Sequence, residues 1–355
     1  MRIAVFHTAT ILSSWTLLTA AEEFRRLGHE VFEGSIPVDV NGAVLNRLTQ
    51  QQFEGYRAGM PTLAQLNSCD LVLVYGPEYV GNWLGSLYGE NGWRNLRCGV
   101  RAASYLETSQ EAGRDFRYEL YREWFDVHFY PARRDVERFR GLLSQPCVDT
   151  RVFCPQHPEA LDRGGALNEK CYEAGFVGSI YPKRAAFLNQ LLPLLEGVDF
   201  RAGYVIARDL GGELPVLWTE LLVRNLRQLR IHVGLPSNNV HMTVSRPFET
   251  LASGTFMLTY RTSDDYFIDG EHCRFYDPDR PEELAALIRY YSTHPEEREE
   301  IARAGCLYVR RMFSREKKFA DLLETCMRHG RSPVEVAAAG IPSIAASTPC
   351  SGAAD

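Results

Sequence analysis

The sequence predicts an α/β protein built from two doubly wound, parallel-sheet lobes that face a central cleft. Three observations carry this: apolar strand runs alternate with helix-length segments, the series restarts after a turn-rich stretch at 147–165, and 355 residues suffice for two domains of about 150 each.

The first strand is "RIAVFH". After it, "TLLTAAEEFRRLGHEVFEG" sets Leu17, Leu18, Ala21, Phe24 and Leu27 at helical spacing, stops at Gly28 and enters a second strand at 30–32. Further strands are predicted in "CDLVLVYG" (69–76), "CGVRAASYLE" (98–107) and "FDVHFYP" (125–131), which makes residues 1–148 one Rossmann-like lobe. "CVDTRVFCPQHPEALDRGG" has turn formers and no sustained period, as a linker should. The second lobe, 149–309, starts its own strand-helix series at "EAGFVGSIYPKRAAFLNQLLPLL". It continues with strands in "VDFRAGYV", "LRIHVGLP", "TFMLTY" and "HCRFYD". Two helical segments follow, "RPEELAALIRYYSTH" and "PEEREEIARAGCLYVRRMFSREKKFADLLETCMRH". The Ala-, Ser- and Pro-rich 331–355 reads as a flexible tail.

Composition narrows the function classes. At 45% hydrophobic and 24% charged the chain has a core-forming balance, and a net charge of -6 offers no general attraction to nucleic acid, so an anionic ligand needs a local basic cluster. The nine cysteines are scattered, with no Cys-x-x-Cys, and suggest neither a zinc site nor a disulfide framework. "MRIAVF" enters a strand directly, without the features of a secretory signal, and no run approaches the roughly 20 apolar residues of a membrane span. The expected location is cytoplasmic.

Sheets of this kind bind ligands at the carboxyl ends of their strands. The segment "SRPFETLASGTFMLTY" (245–260) predicts a helix starting near Ser245, with Pro247 in the first turn and Gly254 as its stop. A helix start with Arg246 beside it suits a phosphate, and Glu249, one turn along, can accept from the 2′ and 3′ hydroxyls of a ribose. The competing reading makes Glu249 a dipole partner and Arg246 a solvated charge. In "FVGSIYPKRAAFL" (176–188), Ser179 lies in a small-residue turn, and Lys183 and Arg184 start a helix where cations are unfavourable unless an anion sits there. They can equally be surface charges.

The first-lobe loop "FHTATILSSW" has no Gly-x-Gly, which argues against a dinucleotide site. It offers His7, Thr8, Thr10 and Ser13 to an acceptor, although His7 can be a core histidine and Ser13 a helix cap. Glu107 ends a strand in "SYLETSQE" and is the candidate catalytic carboxylate, against a plain capping turn. His7 is the reserve, and Glu78 in "YGPEY" makes a lesser claim at the acceptor. Asp264 and Asp265 could suggest a divalent metal, but adjacent acids in such a turn are more often solvated. No metal is expected.

With these residues in view, the chain resembles the two-lobed GT-B glycosyltransferases, and within them the CgeB-like (spore-maturation protein) group related to family 4. The resemblance runs from "CVDTRVFCP" through "GFVGSIYPKRAAFL" and "SRPFETLASGTFMLT" to "FIDGEHCRFYDPDRPEELAALIRYYSTHPEEREEIARAG", most of the second lobe. "FRRLGHEVFEG" and "YLETSQ" match more loosely in the first. It implies that Glu249 binds the ribose of a nucleotide-sugar donor and that Arg246, Lys183 and Arg184 face its diphosphate. Ser179, His241 and Phe248 belong to the same donor site. It also implies that the last helix, about 310–330, crosses back to the first lobe. Retaining family 4 enzymes commonly have Glu-x7-Glu; the position eight before Glu249 is His241 here.

The expected function is therefore metal-independent transfer of a sugar from a UDP- or GDP-linked donor to a small-molecule or glycan acceptor held by the first lobe. No cofactor is required, and a homodimer is an allowed assembly. The alternatives are a nucleotide-sugar epimerase or hydrolase on the same fold, and a non-catalytic sugar-nucleotide-binding protein.

Overall fold

The computed structural model describes residues 1–8, 14–36, 49–106, 115–178, 180–203, 214–236, 245–264 and 266–329. The 331–355 tail lies outside them. Among the described residues two parallel sheets form. The first joins β1 (Arg2–Thr8), β2 (Glu30–Ile36), β3 (Leu71–Tyr75), β4 (Val100–Ser104), β5 (Val127–Tyr130) and the two-residue β6 (Leu142–Leu143) in the order β2-β1-β3-β4-β5-β6. Its helices are α1 (Ser14–Arg26), α2 (Gln50–Ala58), α3 (Leu63–Asn67), α4 (Pro77–Tyr88), α5 (Glu90–Arg94), α6 (Asp115–Leu120) and α7 (Arg133–Phe139).

After a connection containing α8 (Ala160–Arg163), the second sheet joins β7 (Tyr172–Val177), β8 (Phe200–Gly203), β9 (Leu229–Val233), β10 (Phe256–Thr259) and β11 (Arg274–Phe275) in the order β11-β10-β9-β7-β8. Its helices are α9 (Pro182–Leu194), α10 (Leu214–Gln228), α11 (Ser245–Ala252), α12 (Pro281–Thr293) and α13 (Pro295–Met312), and α14 (Arg315–His329) ends the described chain.

Strand composition follows from burial on both faces. In β1, Ile3 and Val5 enter one core and Ala4 and Phe6 the other; in β3, Leu71 and Leu73 oppose Val72 and Val74 in the same way. Such strands read as unbroken apolar runs because helices cover both sides of a parallel sheet. Trp83, Trp93 and Trp124 fill one side of the first sheet, while Phe24 of α1 fills the other.

The sequence pattern over 295–329 is one continuous helix signal, yet the chain breaks it at Phe313–Ser314. Backbone bonding explains the break. Val148 N donates to Phe313 O at 2.9 Å and Arg315 N to Val148 O at 3.0 Å, so the linker takes over groups the helix would have used. Beyond the break α14 lays Phe319, Leu322, Leu323 and Cys326 on the first sheet, with Phe319 edge-on to Phe24 at 5.4 Å.

The same junction concentrates charge. Arg315 reaches Glu23 of α1 at 3.0 Å, Asp149 of the linker at 2.9 Å and Glu22 at 3.4 Å, and Arg151 adds bonds to Glu23 and Asp149 at 3.0 and 2.9 Å. Glu23 and Arg315 are 1% and 2% exposed. Removing one partner of a buried pair strands the other charge, at about 3–5 kcal/mol. Arg315→Ala should therefore lower the unfolding free energy by about 3 kcal/mol in urea denaturation; a change under about 1 kcal/mol would mean the junction is held by packing alone.

Candidate active site

In the second sheet the strand order reverses between β7 and β9, and the helices that follow them, α9 and α11, pack in opposite cores, which opens a crevice at the carboxyl ends of those strands. A pocket of about 600 Å³, open mouth included, occupies that position. Phe176 of β7, Gly234 and Leu235 after β9, and Thr259 and Tyr260 at the end of β10 form its base, and Arg184 and Arg246 enter from α9 and α11.

A side chain at Gly234 would crowd this wall. A Cβ there would stand 2.9 Å from Thr259 Oγ1 and 3.0 Å from Met257 Cε. Its backbone is pinned on both sides, by the Gly234 N to Leu258 O bond at 2.8 Å and by the Tyr276 hydroxyl donating to Gly234 O at 2.7 Å.

Helix α11 begins at Ser245 with Pro247 in its first turn, where a missing N–H leaves no helical bond broken. Its far end stops at Gly254, whose φ of 70° suits glycine, and the Asn168 amide donates to Ser253 O and Gly254 O at 2.9 and 3.0 Å. Everything from Pro247 to Ala252 is buried, so the helix cannot tilt freely. Its start, through Arg246 and Pro247, is therefore held against the pocket, which places the positive end of the helix dipole there.

Arg246 Nη1 donates to Glu249 Oε2 at 2.7 Å across one turn, which places the carboxylate directly behind the guanidinium. Arg184 lies over the Tyr181 ring at 4.5 Å and the Phe176 ring at 5.2 Å. Burial pushes its pKa down, Tyr181 and Tyr260 oppose the shift, and the like charge of Arg246 adds to it. The two cations feel each other in one pocket.

A histidine that sequence reasoning missed ties these parts together. His232 on β9 is fully buried; Val177 N donates to its Nε2 at 3.3 Å, its Nδ1 lies 3.1 Å from Thr250 Oγ1, and Thr250 Oγ1 donates to Arg246 O at 2.8 Å. The chain is satisfied when Nδ1 carries the only ring proton, so this imidazole is neutral and links the end of β7 to the first turn of α11. Burial, then the charges of Arg246 and Arg184, bring its pKa down to about 3. The one sequence signal was a histidine set inside the apolar run "LRIHV".

The expected donor residues divide. Arg184 and Arg246 line the pocket together, and Glu249, 8% exposed, joins through Arg246. Lys183 is exposed in the first turn of α9 and does not line the pocket. The Phe248 ring, expected at the donor, is fully buried instead; it packs on Phe267 and Phe313 at 5.0 Å and supports the pocket from beneath. Ser179 and His241 lie outside the described residues.

In the first lobe the strand order reverses between β1 and β3. Glu78 sits in the first turn of α4 beside that point, 3% exposed, and its Oε1 accepts from Leu106 N at 2.9 Å. Glu107 follows Leu106 directly and lies outside the described residues, as do Thr10 and Ser13. Thr8 ends β1. His7 is fully buried on β1 with Nε2 3.0 Å from Glu33 Oε1, and Arg25 holds the other Glu33 oxygen at 2.8 Å. The His7 hydrogen bond, opposed by burial and aided by Arg25, lowers the Glu33 pKa. Asp264, considered above for a metal, is fully buried, and Asp265 lies outside the described residues.

Comparison with solved structures places this architecture. Sucrose-phosphate synthase from Thermosynechococcus elongatus superposes with a TM-score of 0.60 at 12% identity, over 92% of this chain and 98% of that one. An Anabaena HepE structure in complex with UDP and glucose gives a TM-score of 0.60 at 11% identity, over 92% and 99% of the two chains. A glycosyltransferase from Rickettsia africae ESF-5 gives 0.56 at 12%, over 93% and 99%. The fold is GT-B. A family model described as "Glycosyl transferase-like" matches residues 186–324, which takes in most of the second GT-B lobe and the helices behind it. No curated protein sequence matches the chain. Within the described residues, no helix is long and apolar enough to cross a membrane.

His232 gives a pH test. Its folded-state pKa lies below the 6.5 of a free histidine, so below pH 6.5 the unfolded chain takes up a proton that the folded one refuses, and stability falls as pH falls. From about pH 6.5 to 5, His232→Gln should flatten the slope of unfolding free energy against pH by up to about 1.4 kcal/mol per unit. Urea titrations at several pH values check this; identical slopes would mean His232 is protonated in the fold.

Proposed function

We propose that the protein is a glycosyltransferase that takes its sugar from a nucleoside-diphosphate donor. The observation that carries the reading is the meeting of Arg184, Arg246 and the start of α11 in one pocket at the switch point of the second sheet. Two guanidinium groups repel one another there, and a diphosphate relieves that repulsion while accepting from both. The comparisons support the same reading, since the HepE structure holds UDP and glucose on this fold.

In the proposed reaction the bond between the anomeric carbon and the diphosphate oxygen breaks, and a new one forms to an acceptor hydroxyl. Negative charge grows on the leaving diphosphate, so fixed positive groups at that point stabilise the transition state more than the ground state. We assign this to Arg184 and Arg246, with Lys183 at the margin, and the reading needs no metal. Glu249 accepts from the ribose hydroxyls, and Glu107 is the carboxylate that takes the acceptor proton. It ranks ahead of His7 because the His7 ring is buried against Glu33. The CgeB-like relationship, related to family 4, and a UDP- or GDP-linked donor belong to the same proposal.

The roles of Arg246 and Glu249 predict that the two variants part company on pyrophosphate. Arg246→Ala should weaken both UDP or GDP and inorganic pyrophosphate by about tenfold or more in calorimetry, the loss of a charge-assisted bond. Glu249→Ala should weaken the nucleotide through the lost ribose contact, yet leave pyrophosphate equal or tighter because a nearby negative charge has gone. Unchanged nucleotide affinity in Glu249→Ala would remove its ribose role. A nucleotide at 100 times its dissociation constant should also stabilise the protein by about 2.7 kcal/mol; failure of every nucleoside diphosphate to shift the melting temperature would overturn the donor reading.

A further inference from the structure

In the first sheet β4 runs next to β3, one of the two strands at that lobe's switch point. Along a parallel strand, successive residues bond to opposite neighbours. Gly76 N donates to Ser104 O at 2.8 Å on the β3 side, and Tyr105 N donates to Phe129 O at 2.9 Å on the β5 side. Leu106 N is thus turned to the β3 side again. β3 has ended by then, because Gly76, at φ 63° and ψ 52°, turns the chain into α4. A carboxylate takes the place of the missing strand: Glu78, in the first turn of α4, accepts from Leu106 N at 2.9 Å through Oε1.

Water could satisfy a strand-end N–H, whereas a side chain that holds it also fixes the direction in which the chain leaves the sheet. Glu78 is suited to that task. It is 3% exposed, the start of α4 offsets part of the cost of burying its charge, and a charged acceptor binds an N–H more strongly than a neutral one. The residue before Leu106 is anchored as well, since the Tyr105 ring stacks on Tyr130 at 4.8 Å and lies 4.2 Å from Tyr118. The backbone is therefore held up to residue 106, and Glu107 is next in the sequence.

We propose that Glu78 is a positioning residue for the acceptor half of the reaction, holding the Leu106 amide so that Glu107, one peptide further on, leaves β4 in a single direction. The inference rests on the reading of Glu107 as the carboxylate that takes the acceptor proton. It gives Glu78 a role through the backbone in place of a contact to the acceptor.

Release of nucleoside diphosphate from a panel of UDP- and GDP-sugars, with water as the acceptor, is measured for wild type, Glu78→Ala, Glu78→Gln, Glu107→Gln and the double variant Glu78→Ala/Glu107→Gln. Glu78→Ala should lower kcat about tenfold or more with the donor KM unchanged, because a reacting group is misplaced while the donor lobe is untouched. Glu78→Gln keeps an oxygen for Leu106 N and should stay within about threefold of wild type. The double variant should be no slower than Glu107→Gln alone, since positioning acts only through that carboxylate. Equal kcat in Glu78→Ala and wild type, beside a slow Glu107→Gln, would overturn the inference and leave the glycosyl-transfer reading standing. A raised KM, or losses that multiply in the double variant, would overturn it too, as the signs of a general structural role. If Glu78→Ala does not fold, Glu78→Leu replaces it; failure of both to fold assigns the carboxylate to the core and overturns the inference. Glu107→Gln as fast as wild type would remove the proposed base and this inference together, and wild-type protein that releases nucleotide from none of the sugars would sink the glycosyl-transfer reading as well.

Discussion

Holding two guanidinium groups in one half-buried pocket is the constraint around which the second lobe is arranged. Burial disfavours the charge on Arg184, and the like charge of Arg246 adds to that. Their stems are accordingly fixed by independent means. Arg184 is laid over Tyr181 and Phe176, whereas Arg246 is tied to Glu249 and set at the start of a helix buried along most of its length. Neither can swing away from the other without losing packing, so the field in the pocket exists before any ligand arrives. That is the preorganisation by which an enzyme stabilises charge that appears only as a bond breaks.

His232 explains how two separate chain segments keep that geometry. A charged imidazole at this place would add to the repulsion, and an apolar residue would leave Val177 N and Thr250 Oγ1 to find other partners. A neutral histidine accepts at one nitrogen and donates at the other, which joins β7 to α11 without adding charge.

The lobes meet at a second charged centre with a different purpose. Arg315 and Arg151 are each balanced by carboxylates from α1, the linker or α14, so no net attraction for a ligand remains. Such buried pairs add little net stability over apolar packing and serve mainly to specify one arrangement. Here the arrangement specified is the adjacency of the two chain crossings, at Val148 and Ser314, through which the second lobe is attached to the first.

Much of the architecture was legible because strand and helix periodicity are local properties. The runs "RIAVFH", "CDLVLVY" and "TFMLTY" mark β1, β3 and β10 to within two residues, and the start and stop of α11 follow from Ser245, Pro247 and Gly254. The break at Phe313–Ser314 was not legible, since it depends on backbone bonds to a residue far away in the chain. The site divides in the same manner. Arg184, Arg246 and Glu249 could be singled out by position at helix starts, but Phe248 has the same local credentials and turns to the core. Local pattern was enough for two parallel α/β lobes and for a short set of cations at helix starts. Which of those cations share a pocket, and that His232 is neutral, came from folding, because burial and pairing are set by strand order and by segments that meet only in the folded chain.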